Sequence, residues 1–138
     1  MKYLHAMIRV SDIEKSLEFY QDLLGLKIVR KKDHPQGEFS LYYLATEKGE
    51  PEIELTHNWG GGDYTSGNAF GHLAFSVENI YELCEKIERA GVTILRPPRD
   101  GHMAFIKDPS GVSIELIQEG ESLPKNKKWV HRESVGSW

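Results

Sequence analysis

Two histidines and two glutamates stand at matching places in a chain that is written twice. His5 opens the stretch His5-Ala6-Met7-Ile8-Arg9-Val10-Ser11-Asp12-Ile13. His72 opens His72-Leu73-Ala74-Phe75-Ser76-Val77-Glu78-Asn79-Ile80, an offset of 67. Glu54 is centred in Ile53-Glu54-Leu55 and Glu115 in Ile114-Glu115-Leu116, an offset of 61, so the second copy has lost six residues along the way. Residues two apart in a strand share a face. His5, Met7 and Arg9 therefore line one face and Glu54, Thr56 and Asn58 another; His72, Ala74 and Ser76, and Glu115 with Ile117, repeat the arrangement. A carboxylate in an apolar strand is costly unless it finds a partner. Two imidazoles and two carboxylates solve this together if they meet around one divalent cation. Such a set suits Zn, Fe, Co, Ni or Mn, and with two waters it completes an octahedron. Taken alone, a strand histidine is usually structural and a strand-end glutamate usually faces solvent. Recurrence of both types at equivalent places in both copies brings the shared metal level with those structural readings.

The elements that must carry these residues follow from periodicity. Residues 3–10 alternate as a strand. Asp12 suits an N-cap, Ile13, Leu17, Tyr20 and Leu24 recur at helical spacing, and Gly25 ends the helix. Strands are expected near 26–32, 39–46 and 51–58, divided by Pro35-Gln36-Gly37 and Lys48-Gly49-Glu50. The second copy repeats the order: strand 70–77, helix 79–90 ending at Gly91, then strands near 92–96, 102–107 and 112–118, with a turn at Asp108-Pro109-Ser110-Gly111. The fold class is thus α+β, two tandem βαβββ modules related by a pseudo-twofold axis. The expected divisions are a first module at 1–58, a linker at 59–67, a second module at 68–118 and an irregular C-terminal tail at 119–138. The run Gly60-Gly61-Gly62 lacks the strand-to-helix setting of a phosphate loop and belongs to the linker. Cys84 falls among Ile80, Leu83 and Ile87 as a small core residue. His34, His57, His102 and His131 have no repeat partner and are assigned to loops or the surface.

A chain of 138 residues, 39% hydrophobic and 28% charged, can bury one good core. Its formal charge of −4 disfavours a nucleic-acid partner. No apolar run approaches the roughly 20 residues that span a bilayer. The start of the chain turns polar at once, unlike a signal peptide, and one cysteine forms no internal disulfide, so a cytoplasmic protein without a membrane partner is expected.

With these residues in view, the chain resembles the vicinal oxygen chelate superfamily, and within it the glyoxalase I (lactoylglutathione lyase) family. The resemblance rests on Ile53-Glu54-Leu55-Thr56-His57-Asn58-Trp59-Gly60, on Leu4-His5-Ala6-Met7-Ile8-Arg9-Val10, on Gly71-His72, and on Ala104-Phe105-Ile106-Lys107-Asp108-Pro109-Ser110-Gly111 running into Ile114-Glu115-Leu116. It covers residues 3–118. It implies a metal-dependent isomerisation of the hemithioacetal of methylglyoxal and glutathione to S-lactoylglutathione. It also implies His5, Glu54, His72 and Glu115 as ligands to one divalent metal per site, with Ni or Co favoured over Zn. Glu115 matches the carboxylate that moves the proton, with Glu54 the second carboxylate at the site. Arg9 and Asn58 match residues that hold the glutathione peptide, and Arg96 stands where relatives place a basic residue. A homodimer with sites at its interface is implied as well.

The chain also departs from the family pattern. Asn68 stands where some relatives carry arginine, and the loop Asp100-Gly101-His102-Met103 is about three residues short, which leaves the thiol open. Three other readings remain. An extradiol dioxygenase of the superfamily would use two histidines and one glutamate. A thiol transferase acting on an epoxide antibiotic would use three ligands. A metal-free binding protein of the same fold would use none.

Overall fold

The computed structural model describes residues 1–138. The chain forms two compact units, Met1–Thr65 and Ser66–Trp138.

The first unit runs β1 (His5–Arg9), α1 (Ile13–Leu17), β2 (Lys27–His34), β3 (Phe39–Ala45) and β4 (Glu52–Asn58). Asp12 caps α1 as its composition predicts, its carboxylate accepting from the Lys15 amide. The helix then widens into a π-helical stretch, Glu18–Leu23, where the Leu24 amide reaches back five residues to the Phe19 carbonyl. Gly25, at φ 81°, ends it. The sheet order is β1-β4-β3-β2, with β1 parallel to β4 and the other pairs antiparallel. Val10, Leu44 and Leu55 are buried, as are Phe19 and Tyr20 of the helix. Glu54 and Thr56 alternate with Ile53 and Leu55, so they fall on the other face of β4.

The second unit runs β5 (His72–Val77), α2 (Ile80–Arg89), β6 (Met103–Lys107) and β7 (Ser113–Gln118). The sheet order is β5-β7-β6, with β5 parallel to β7. Asn79 caps α2, accepting from the Tyr81 and Glu82 amides. Buried Gln118 adds a second cap: its side-chain oxygen accepts from the Ile80 amide and its nitrogen donates to the Glu78 carbonyl. Ile80, Cys84 and Ile87 of α2 are buried, as are Ile106, Ile114 and Leu116 of the sheet. Burial pushes the Cys84 thiol up to about 12, as suits an inert core residue. In the Asp108–Gly111 turn, the Asp108 carboxylate accepts from the Ser110 and Val112 amides.

One expected strand is not formed. Residues 92–96 contribute only a single bridge, Arg96 to Phe105. Pro97 and Pro98 follow at once and have no amide to continue the ladder. Two of the four unpaired histidines also lie in strands rather than loops: His57 within β4 and His34 at the end of β2. Beyond Gln118 no helix or strand forms, yet Trp129 in this stretch is wholly buried. No helix is long and apolar enough to cross a membrane.

Candidate metal centre

Each unit brings one of the histidines against one of the glutamates. His5 Nε2 stands 3.0 Å from Glu54 Oε2, and His72 Nε2 stands 2.9 Å from Glu115 Oε2. Parallel pairing makes this possible, because it sets Met7 opposite Glu54 and Ala74 opposite Glu115. Each histidine lies two residues before its register partner and on the same face. The carboxylates are the more sheltered partners, with side chains 12% and 15% exposed against 32% and 41% for the imidazoles.

The likeness of the two half-sites extends outward along one cross-strand row. In the first unit the row reads Met7, Glu54, Tyr43, Arg30; in the second it reads Ala74, Glu115, Phe105, Arg96. Tyr43 meets His5 edge-on with ring centroids 5.7 Å apart, and Phe105 meets His72 edge-on at 5.3 Å. Each aromatic ring thus holds the plane of its imidazole. Arg30 lies over the Tyr43 ring at 3.5 Å and forms two hydrogen bonds to Glu52. Arg96 donates to the Met103 carbonyl and to Asp100 Oδ2.

Local charges follow these contacts. Burial, and then the neighbouring Glu54 carboxylate, push the Tyr43 phenol up. Burial works to raise Asp100. The Arg96 guanidinium and the His102 and Met103 amides outweigh it and bring the carboxyl down to about 2. The Arg30 hydrogen bonds, opposed by desolvation, hold Glu52 below the usual carboxylate range.

Sequence reading found the histidines and glutamates and placed Thr56 on the Glu54 face without a role, but missed Arg30, Tyr43 and Phe105. The signal was present in a displaced form. The offset between copies is 67 at His5, 66 from Arg30 to Arg96, 62 from Tyr43 to Phe105 and 61 at Glu54. Most of the six-residue loss thus falls in the hairpin between the arginine and the aromatic, which hides the correspondence from a fixed-offset comparison. The other expected binding residues sit nearby within their units. Arg9 is exposed and pairs in register with Thr56, on the His5 face of β1. Asn58, at the end of β4, donates to the Tyr64 hydroxyl at 2.8 Å. Asn68 lies in an exposed turn.

The donor set fits a divalent cation. Two ligands at right angles on a metal with bonds of ~2.1 Å stand about 3.0 Å apart, which is the His–Glu separation in both units. Neither unit by itself gathers three His, Cys, Asp or Glu side chains. Each holds one histidine and one glutamate side by side.

Comparison with known proteins identifies the family of the chain. Residues 2–116 match the model of the Glyoxalase/Bleomycin resistance protein/Dioxygenase superfamily. A probable lactoylglutathione lyase of Synechocystis is 50% identical over 125 residues, covering 86% of this chain and 95% of the relative. The lactoylglutathione lyase of Neisseria meningitidis is 44% identical over 126 residues, covering 86% and 91%. Among solved structures, the trypanothione-dependent glyoxalase I of Leishmania major superposes with a TM-score of 0.83 at 38% identity, over 86% of this chain and 87% of that one. The chain belongs to the Glyoxalase/Bleomycin resistance protein/Dioxygenase superfamily, and within it to the family of the lactoylglutathione lyases.

Proposed function

We propose that this protein is a lactoylglutathione lyase: it isomerises the hemithioacetal of methylglyoxal and glutathione to S-lactoylglutathione. The observation that carries the reading is the matched pair of His–Glu half-sites on equivalent strands, in a chain 50% identical to a probable lactoylglutathione lyase over most of its length. His5, Glu54, His72 and Glu115 would hold one divalent metal. Nickel or cobalt is our assignment over zinc, because the compact chain resembles members of that preference.

When bound, the metal supplies Lewis acidity that stabilises negative charge on the substrate oxygens. The protein's own part is to move a proton. Glu115 takes the proton from the thiol-bearing carbon and returns it to the neighbouring carbon, so the product is a 2-hydroxy thioester with no net redox change. Supporting this division of roles, Glu54 is held through both oxygens, by His5 and by the Thr56 hydroxyl, whereas Glu115 is held through one, by His72. Arg9, Asn58 and Arg96 would bind the peptide arms and carboxylates of glutathione. The short 100–103 loop, and the likeness to a trypanothione-dependent enzyme, make the thiol the property most open to variation. Since each unit offers half a ligand set, we assign the complete site to a homodimer, the first unit of one chain meeting the second unit of its partner.

The test is an assay of thioester formation from methylglyoxal and glutathione, with protein stripped of metal and then reconstituted. The stripped protein should be inactive and should recover with Ni or Co more fully than with Zn. Full activity without metal would overturn the reading. Metal binding without hemithioacetal turnover, joined by thiol addition to an epoxide, would select the thiol transferase instead.

A further inference from the structure

The stretch after the last strand is irregular in backbone but firmly placed. Trp129 is wholly buried, with the Arg132 guanidinium 4.6 Å and the Lys128 ammonium 4.9 Å from its ring. Arg132 in turn pairs with Glu88 of α2 at 2.6 Å. Arg99 donates to the Arg132 carbonyl and the Ser134 hydroxyl, and the Val135 amide donates to the Leu95 carbonyl at 2.8 Å. The segment is thereby laid beside the single bridge at Arg96, along the edge that an expected strand leaves unfilled.

The short loop at 100–103 is shaped to let this segment pass. The Leu123 amide donates to the Gly101 carbonyl, and a Cβ at Gly101 would meet the Leu123 carbonyl oxygen at 2.1 Å. Gly101 also has φ +68°, so both its backbone conformation and the close approach require glycine.

The segment leads to Trp138. Its indole stacks on Phe105 with centroids 5.9 Å apart and planes at 30°, and Phe105 in turn makes a T-shaped contact with His72. Trp138 is thus one ring away from a metal-ligand histidine and stays 45% exposed. Phe105 lies opposite Glu115 in register, so this aromatic pair stands on the ligand-bearing face of the second unit.

We infer that Trp138 is a specificity-determining residue: backed by the buried Phe105 ring, its indole presents an aromatic wall that receives the aldehyde-derived substituent of the hemithioacetal and favours flat aryl groups over methyl. This rests on the function proposed above. The wall suits the aldehyde substituent rather than the thiol arm because it is apolar, whereas the glutathionyl arm carries two carboxylates and a cation and calls for charged partners such as Arg9 and Arg96. A ring stacked on an exposed indole gains a contact that a methyl group is too small to make.

The test uses non-reacting thioethers, S-benzylglutathione and S-methylglutathione, titrated calorimetrically into the Ni-loaded full chain. Trp138→Ala should weaken S-benzylglutathione by on the order of five- to tenfold. It should leave S-methylglutathione within about twofold and metal content unchanged, and Trp138→Phe should retain most of the aryl preference. As a second measurement, S-(4-nitrobenzyl)glutathione should quench a part of the wild-type tryptophan emission that is missing in Trp138→Phe. An unchanged benzyl-to-methyl affinity ratio in Trp138→Ala, or identical quenching in both proteins, would overturn the wall while leaving the enzyme assignment standing. Failure of wild-type protein to bind either thioether would instead overturn the assignment and the wall with it.

Discussion

The Thr56 hydroxyl donates to Glu54 Oε1 at 3.2 Å, while the residue in the same place beside Glu115 is Ile117, which has no hydrogen to give. This difference, together with the Tyr43 phenol beside Glu54 where Phe105 stands beside Glu115, breaks the symmetry of the two half-sites. A carboxylate held at both oxygens is positioned to stay a ligand, and one held at a single oxygen is free to turn and accept a proton. Glu115→Gln keeps a ligating oxygen but loses basicity. It should retain metal and lose on the order of 10²-fold or more in kcat, whereas Glu54→Gln should lose less. Metal content and kcat of both variants check this. Near-normal kcat in metal-loaded Glu115→Gln, with collapse in Glu54→Gln, would reverse the two roles.

Removing a ligand outright should act on the metal itself. His5→Ala and Glu54→Ala each delete one of the four proposed ligands and should each abolish tight Ni or Co binding, read by metal analysis after dialysis. Both proteins should stay folded, because His5 and Glu54 lie on the ligand-bearing face while Val10, Leu44 and Leu55 fill the core. Full metal content in either variant would remove that residue from the ligand set.

Arg9 should govern binding more than chemistry. It is exposed on the His5 face, and its charge would contact the thiol arm equally in ground state and transition state. Arg9→Ala should therefore raise KM more than it lowers kcat. A matching fall in kcat with unchanged KM would place Arg9 in the chemical step. Testing other cellular thiols alongside glutathione separates the thiol from the metal chemistry: a far higher kcat/KM with another thiol would change the cosubstrate and leave the metal site intact.

The short loop should leave a mark on acid stability. Asp100 titrates near 2 in the folded chain against its ordinary value of 3.8. A depressed carboxyl contributes stability above its unfolded value and loses that contribution as pH falls through the folded one. Asp100→Asn should therefore lower stability near neutral pH and flatten the decline between about pH 4 and pH 2, where Asp100 takes up its proton. Thermal melts of both proteins across that range are the check, and parallel curves would deny Asp100 this role.

The two histidines and two glutamates were legible in sequence as matched residues, because strand alternation and a near-constant offset single them out with no knowledge of three-dimensional pairing. The cap at Asp12 and the glycine stops at Gly25 and Gly91 were legible for a similar reason, since each is a local matter. Tyr43, Phe105 and the Arg30–Arg96 match were not, because they meet the ligands across strands and the shortened hairpin shifts their spacing. The strand expected at 92–96 failed because Pro97 and Pro98 end the ladder, a signal that alternation in the preceding residues outweighed. The route of residues 119–138 was illegible for a different reason: it is set by one buried indole and by scattered main-chain bonds, none of which is periodic.

The central claim, one metal centre assembled from the first unit of one chain and the second unit of another, is tested most directly by mixing inactive variants. His5→Ala and His72→Ala chains, each inactive alone, should be unfolded or dissociated together, reassembled and loaded with Ni. In a mixed twofold dimer both lesions fall in one site and the other site is intact. Random reassembly makes half of the dimers mixed, so activity should return to about a quarter of wild type. A mixture of folded, dimeric variants that stays inactive at every ratio would contradict the shared centre.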